Sequence, residues 1–280
     1  MAWTGIVDGI CQHIFPCALF AAVSGSSPAT VVAIGSILMP AMVKAGFPKR
    51  FGAGVITTSG ALGILIPPSI VMVMYSVSTN TSVGALFMAG VIPGIVMAAM
   101  LGFTTWYRAR SNNYPRQAKA SWGERWKAFR ESAWGLFLII IVMGGIYLGF
   151  INPTEAGAVG AFALFIIVML KGRLTWRAIV SCLLEATRIT VMVLFLVAGA
   201  TVFSYFLALS TIPTTVSAWI AGLEVSRYVV LAIIIGIYFV LGCFLDAVSM
   251  MVLTLPVVFP VIVTLHFHPI WFGVVAVLMM

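Results

Sequence analysis

Two stretches of this sequence set hydroxyls and irregular backbone among apolar residues. The first is SGSS, Ser24 to Ser27, between CALFAAV and the run that includes VVAIGSILMPAMV. The second is GALGILIPP, Gly60 to Pro68. Proline removes a backbone donor and frees the carbonyl one turn back, and glycine lets the chain open. In hydrocarbon an unpaired backbone group is costly, so irregular backbone persists only where something satisfies it. Freed carbonyls and serine hydroxyls are hard oxygen ligands, suited to a small hard cation such as sodium. Neither stretch holds a carboxylate, histidine or cysteine, which argues against a transition metal. The same residues have a second reading. One of Ser24, Ser26 and Ser27 caps a helix with Pro28 in its first turn, or the small residues serve close helix packing. From the residues alone both readings stand.

Other polar residues carry less. Asp246 is the only acid deep in an apolar run. It either caps the helix that follows or helps to hold a cation or proton. Glu155, in NPTEAGAVGA, sits in a first helical turn after Pro153, where an acid complements the helix dipole. His13, His266 and His268 fall near the ends of apolar runs, where interfacial solvation explains them better than a metal. Glu185 and Arg188 lie where a helix enters the membrane, placed to snorkel or pair. Cys11, Cys17, Cys182 and Cys243 all stand in apolar stretches without a CxxC, as small buried thiols.

The elements that must position these residues are membrane helices. Of 280 residues, 62% are hydrophobic and 8% charged, against about a quarter charged in a soluble domain. The formal charge of +8 does not indicate nucleic-acid binding, because the basic residues cluster in short loops, the positive-inside pattern. The start, MAWTGIVDGICQHIF, lacks the basic region of a cleavable signal and reads as the middle of a protein. Apolar runs cover about 5–23, 27–43, 51–77, 84–107, 133–150, 155–170, 189–209, 226–244, 247–264 and from 269 onward. Several fall short of the ~20 residues needed to cross the hydrocarbon. Two neighbouring pairs, 5–43 around SGSS and 226–264 around LDAVS, predict re-entrant helical hairpins. The loop RARSNNYPRQAKASWGERWKAFR (108–130), the patch KGRLTWR (171–177) and Lys44, Lys49 and Arg50 all fit one cytoplasmic side. Crossings counted from there bring the second hairpin in from the opposite face, with 211–223 kept at the outer surface.

A spacing of 221 pairs Pro48 with Pro269, Phe51 with Phe272 and Gly52 with Gly273. It also sets Gly25 on Asp246 and Phe47 on His268. With hairpins of opposite orientation, this predicts an inverted repeat, an architecture of secondary transporters. The partner of the Gly/Pro break would begin near residue 281, past the last residue, so segments beyond both ends are expected.

The stretches LFAAVSGSSPATVVAIGSILMPAMVKAGF, GALGILIPPSI, INPTEAGAVGA and FLD followed by LTLPVVFPV resemble, in order and over essentially the whole chain, the large membrane subunit of the tripartite ATP-independent periplasmic (TRAP) transporters. The resemblance implies an all-α polytopic protein of the bacterial inner membrane. It further implies an inverted-repeat elevator transporter with two re-entrant hairpins and discontinuous helices. In that scheme residues 1–83 hold the first hairpin and broken helix of the transport domain, and 84–107 a transmembrane helix. Residues 108–132 form a cytoplasmic basic loop, 133–209 the scaffold helices, and 210–280 the second hairpin with the start of a second broken helix. Sodium is the coupling ion, with no other cofactor and no enzymatic activity. The implied partners are a small four-helix membrane subunit, a periplasmic solute-binding protein, the lipid bilayer and an organic acid of the C4-dicarboxylate, keto-acid or sialic-acid class.

Carried over by position, one sodium site takes Ser24, Ser26, Ser27, Gly63, Ile66 and Pro68. A second sodium or substrate region takes Asp246 and Ser249. Gly25, Thr30, Pro67 and Ser69 lie near the substrate at the hairpin tip and the break. Pro28 departs from the small residue the family leads one to expect. The residues also leave room for a stand-alone divalent-anion/sodium symporter, although SGSS departs from the Ser-Asn-Thr tip of that class. An intramembrane protease needs a serine–histidine pair or two acids at membrane depth, and the sequence supplies neither pattern.

Overall fold

The computed structural model describes residues 17, 18, 20, 24–112, 114, 122–172, 174–222 and 225–280. Among them there is no β-strand. The helices are α1 (Ser27–Lys44), α2 (Lys49–Gly60), α3 (Leu62–Leu65), α4 (Ile70–Thr79), α5 (Val83–Ser111) and α6 (Trp122–Tyr147). They continue with α7 (Pro153–Leu170), α8 (Trp176–Leu209), α9 (Ile212–Gly222), α10 (Arg227–Leu241), α11 (Ala247–Thr264) and α12 (Pro269–Met279). Five stretches are long and apolar enough to cross a membrane: Ser27–Lys44, Lys49–Thr79, Val83–Ser111, Trp176–Leu209 and Ala247–Thr264. The chain divides into two compact units, each holding one hairpin and longer helices. Residues up to Ile70 join Phe87–Leu164, and Val71–Leu86 join Phe165–Met280.

In the first unit, helical residues 17, 18, 20 and 24 precede a turn at Gly25 and Ser26, and α1 returns from it. Buried Cys17 packs with Leu38 and Ile56, with Val31, Ile34 and Met39 around them. This contact ties the incoming arm to α1 and α2. Helix α2 runs into α3 through Ala61, which keeps a helical backbone (φ −59°, ψ −22°). The helix breaks at Ile66, which is extended (φ −78°, ψ 120°), and the Pro67–Pro68 bond is cis. A second cluster packs Val55 and Leu62 against Phe51, Ile66, Met97, Leu101 and Trp106. Helix α6 starts at Trp122, so helix covers 122–132, which sequence reading leaves in the basic loop. Trp122, Trp126 and Phe129 on its first turns are exposed and the last two stack, as fits a membrane interface. Cys182 and Cys243 are exposed, unlike buried Cys17, because their helices or turns turn them outward; Cys11 lies outside the described residues.

In the second unit, α10 and α11 form the second hairpin around residues 242–246. The hydroxyls of Tyr238 and Thr254 bond across it at 2.6 Å. Buried Met74, Ala200 and Val252 join α4, α8 and α11. Tyr75 donates to the Pro269 carbonyl at 2.7 Å, and a β-carbon on Gly273 would come within 2.8 Å of the Tyr75 ring. Helix α8 has 34 residues, about 51 Å at about 1.5 Å per residue, longer than a hydrocarbon core of about 30 Å. Its third and fourth turns carry the exposed Glu185 and Arg188. Residues 212–222, read from sequence as a surface connection, form α9.

The two hairpins repeat each other locally, at a spacing of 220 rather than 221. Helices α1 and α11 are 18 residues each, with Ser26 and Asp246 as their N-caps. Both end in the same Schellman cap, where the amide two residues beyond the cap residue reaches back to the third residue before it. Phe47 donates to Met42 at 3.0 Å and Phe267 to Ile262 at 3.1 Å. Four residues on, Phe51 stacks on Phe47 and Trp271 on Phe267, at 6.0 and 5.5 Å. The matching pairs are therefore Ser26 with Asp246 and Phe47 with Phe267, not Gly25 with Asp246 and Phe47 with His268. A stack four residues apart accepts any aromatic, so Trp271 fills the place of Phe51, and the identities at 221 lie one residue out of the backbone's register.

Candidate functional site

The turn at Ser24–Ser26 and the break at Gly60–Ile70 meet in the first unit. Gly25 adopts a left-handed backbone (φ +61°), which suits glycine. A β-carbon there would lie 2.7 Å from the Pro68 carbonyl oxygen. The Gly25 carbonyl accepts the amide of Ile70 at 3.3 Å. One turn earlier on the broken helix, a β-carbon on Gly63 would stand 2.9 Å from the Ser26 carbonyl oxygen and 3.0 Å from the Thr30 hydroxyl. At Gly60 it would strike Val31 and lie 3.4 Å from the Ser27 carbonyl. The glycines are thus what lets the two backbones touch.

The hydroxyls divide by what they do. Ser24 and Thr30 pair at 2.8 Å, and the buried Thr30 hydroxyl also donates to the Ser26 carbonyl at 2.8 Å. They hold the turn. Ser26 is the N-cap of α1 in extended geometry (φ −139°, ψ 126°), yet its side chain makes no capping hydrogen bond. Pro28 fills the first turn, where its missing N–H costs nothing. Capping therefore does not consume the Ser26 hydroxyl. At the break, Pro67 and Pro68 offer no N–H to the carbonyls of Gly63 and Ile64. The buried Ser69 hydroxyl takes the Ile64 carbonyl, 2.5 Å away. Proline chemistry thus leaves the Gly63 carbonyl without its helical donor, at a residue whose β position faces the Ser26 carbonyl and the Thr30 hydroxyl.

Of the residues singled out from sequence, Ser24, Gly25, Ser26, Thr30, Gly63 and Pro68 come together here. The Ile66 side chain turns away, packing on Gly94, so only its backbone could serve the site. Ser27 belongs to the same turn, and its hydroxyl is buried.

Asp246 and Ser249 stand in the second unit. Asp246 caps α11, its Oδ2 accepting the amides of Val248 and Ser249 at 3.1 Å each. Glu155 likewise closes a cap: Oε2 accepts the amide of Asn152 at 3.0 Å, and its own amide donates to the Asn152 carbonyl at 2.9 Å. His266 takes a left-handed backbone just past the end of α11 and His268 sits at the N-cap of α12 without a side-chain capping bond, while His13 lies outside the described residues. Among the described residues no group of three His, Cys, Asp or Glu side chains could hold a metal ion.

Residues 9–280 match the family "Tripartite ATP-independent periplasmic transporter, DctM component". The chain is 50% identical over 282 residues to the C4-dicarboxylate TRAP transporter large permease protein of Rhodobacter capsulatus, covering 95% of this chain and 64% of that protein. It is 35% identical over 261 residues to the 2,3-diketo-L-gulonate TRAP transporter large permease protein of Escherichia coli, covering 93% of this chain and 61% of that protein. It is also 35% identical over 271 residues to the isethionate TRAP transporter permease protein DctMQ of Oleidesulfovibrio alaskensis, covering 93% of this chain and 41% of that protein. The chain thus spans less than two thirds of the length of these relatives. Such permeases are multi-pass proteins of the inner membrane and transporters rather than enzymes, in keeping with the long apolar helices. The chain belongs to the tripartite ATP-independent periplasmic transporter family, as its large permease component.

Proposed function

We propose that this chain is the membrane-embedded translocation part of a sodium-coupled importer of a small organic acid, of the C4-dicarboxylate, keto-acid or sialic-acid class. A periplasmic solute-binding protein delivers the acid, and a small four-helix membrane subunit steadies the scaffold. The observation that carries this reading is the contact of the Gly25 turn with the Pro68 break, which brings the hydroxyl-bearing turn and the proline-broken helix together among apolar helices. Such a cluster is what a dehydrated sodium ion needs, and discontinuous helices are where secondary transporters put it. Ser24, Ser26, Ser27 and the carbonyls of Gly63, Ile66 and Pro68 supply the first ion site. Gly25, Thr30, Pro67 and Ser69 shape the substrate-facing tip and break. Asp246 and Ser249, at the tip of the second hairpin, belong to a second sodium or substrate region.

The hairpins enter from opposite faces, and the transport domain that holds them moves as an elevator against the scaffold helices of 133–209. Relatives named for a C4-dicarboxylate, 2,3-diketo-L-gulonate and isethionate support a small organic anion as cargo. A relative named DctMQ supports a small membrane subunit as companion, fused in that protein.

The test reconstitutes the complete permease with its small subunit in liposomes and supplies binding protein loaded with labelled organic acid. Uptake should need both an inward sodium gradient and the binding protein. Uptake without binding protein would favour a stand-alone symporter. Uptake indifferent to sodium would remove the ion site from the mechanism.

A further inference from the structure

From residue 9 to residue 123 the sequence holds seven Lys and Arg residues and no Asp or Glu. Five of these cations, Lys44, Lys49, Arg50, Arg108 and Arg110, are among the described residues, and all five are exposed. They fall at the base of the first hairpin and at the end of α5, and ring contacts join those two places. Phe47 stacks on Phe51. Tyr114, just past α5, closes against both, with ring centroids 5.9 Å from Phe47 and 4.8 Å from Phe51. Its amide donates back to the Ala109 carbonyl at 3.1 Å, which keeps it beside the last turn of α5. Lys44, Lys49 and Arg50 each stand within three residues of Phe47 or Phe51.

Along α5 the side chains are graded. Exposed Phe103 touches Trp106, with ring centroids 5.8 Å apart, and the Arg110 guanidinium lies over the Trp106 ring at 5.6 Å. Trp106 and Phe51 both pack on the buried pair Val55 and Leu62, so Arg110 is held to the same platform as Arg50. An apolar ring, an indole and a guanidinium thus follow one another over about 10 Å of helix axis. A leaflet presents acyl chains, glycerol backbone and phosphates in that order, with aromatic rings at headgroup level and long basic side chains reaching outward. Orienting the chain asks only for positive charge in the loops, not for its assembly on an aromatic platform. A free phosphate would use the cations but leave the exposed Met100 and Phe103 without a partner.

We propose that Lys44, Lys49, Arg50 and Arg110 bind the phosphate headgroup of an anionic phospholipid, in the leaflet on the basic side of the membrane, with its acyl chains along Met100 and Phe103. Cations in a stretch without acids draw counter-charge from outside that stretch, and basic patches at the membrane ends of helices are where acidic headgroups bind. The lipid adds a second tie between the hairpin base and α5 to the one made by Phe47, Phe51 and Tyr114. Sodium coupling does not enter this assignment.

The experiment uses the complete transporter with its small subunit, delipidated in neutral detergent. Phosphatidylglycerol, cardiolipin, phosphatidylcholine and inorganic phosphate are added in turn. Native mass spectrometry counts bound lipid, and the rise of the thermal midpoint gives the half-saturating concentration. Phosphatidylglycerol and cardiolipin should bind and stabilise, and phosphatidylcholine and inorganic phosphate should not. The pair Arg50→Gln/Arg110→Gln should raise the half-saturating phosphatidylglycerol concentration roughly tenfold or more, as expected for two cations lost beside a headgroup. The pair Lys171→Gln/Arg177→Gln removes the same charge from exposed positions in the second unit and should leave that concentration as in wild type. Equal losses in the two pairs would reduce the patch to diffuse attraction and overturn the proposal. Stabilisation by phosphatidylcholine equal to that by phosphatidylglycerol would overturn it too, because the cations would then be idle. Stabilisation by inorganic phosphate alone would make this a site for a free anion and overturn the lipid assignment.

Discussion

The carbonyl oxygen of Pro68 stands 2.7 Å from the point at which a β-carbon on Gly25 would lie. Gly25 also has φ +61°, so any side chain there meets a steric obstacle and a strained backbone together. Gly25→Ala should cost about 1–2 kcal/mol from the left-handed backbone alone and push the turn off the break. Thermal unfolding of the detergent-solubilised transporter should show the loss, and uptake should fall with it. Gly54→Ala is the control: nothing lies within 4 Å of a β-carbon there. In an exposed helix interior that change should stabilise by about 0.5–1 kcal/mol. Equal behaviour of the two variants would refute the close-approach argument.

Ser26 separates capping from ion binding. It occupies the N-cap of α1 without a side-chain capping bond. Ser26→Ala should therefore shift stability by less than about 0.5 kcal/mol, where a working cap would lose about 1 kcal/mol. Sodium-driven uptake should nevertheless drop, and Ser26→Leu should abolish it with membrane insertion intact. Retained uptake in Ser26→Leu would remove Ser26 from the site.

Much of this was legible because the bilayer imposes simple rules. Apolar runs became helices, and the Gly/Pro break and the SGSS tip fell where backbone irregularity predicts. Contact between tip and break was also foreseeable, because each leaves polar groups that the other can meet. What sequence could not supply was register and short connections. Identities at Pro48/Pro269 and Gly52/Gly273 pointed to 221, yet the caps and aromatic stacks repeat at 220. Residue identity is a poor proxy where the backbone asks only for an N-cap, a left-handed cap residue or an aromatic four positions on. Helix α9 escaped because its 11 residues are too few to span a bilayer and leave no length signal.

The true register yields a stability prediction. Gly46 and His266 occupy the same left-handed position after α1 and α11, with φ of +86° and +58°. Glycine is at ease there and histidine is not. His266→Gly should stabilise the protein by about 0.5–1 kcal/mol, the left-handed penalty less glycine's greater loss of chain entropy. Gly46→Ala should destabilise by about 1 kcal/mol. Thermal midpoints of the two variants, measured side by side in detergent, should move in opposite directions. Movement in the same direction would refute the equivalence of the two caps.

Register also sets Asp246 opposite Ser26, and there the two caps differ. Asp246 uses Oδ2 to take two amides at 3.1 Å, so its cap is a working one, and it is an exposed carboxylate at a hairpin tip. Asparagine caps as well as aspartate, whereas alanine forfeits about 1 kcal/mol. Asp246→Ala should thus lower the thermal midpoint, and Asp246→Asn should hold it. If the carboxylate also helps to bind sodium at the second hairpin, its charge matters beyond the cap. Asp246→Asn should then keep wild-type stability while needing more sodium for half-maximal uptake. An Asp246→Asn transporter with wild-type sodium dependence would assign the residue to the cap alone and leave the second sodium region without its carboxylate.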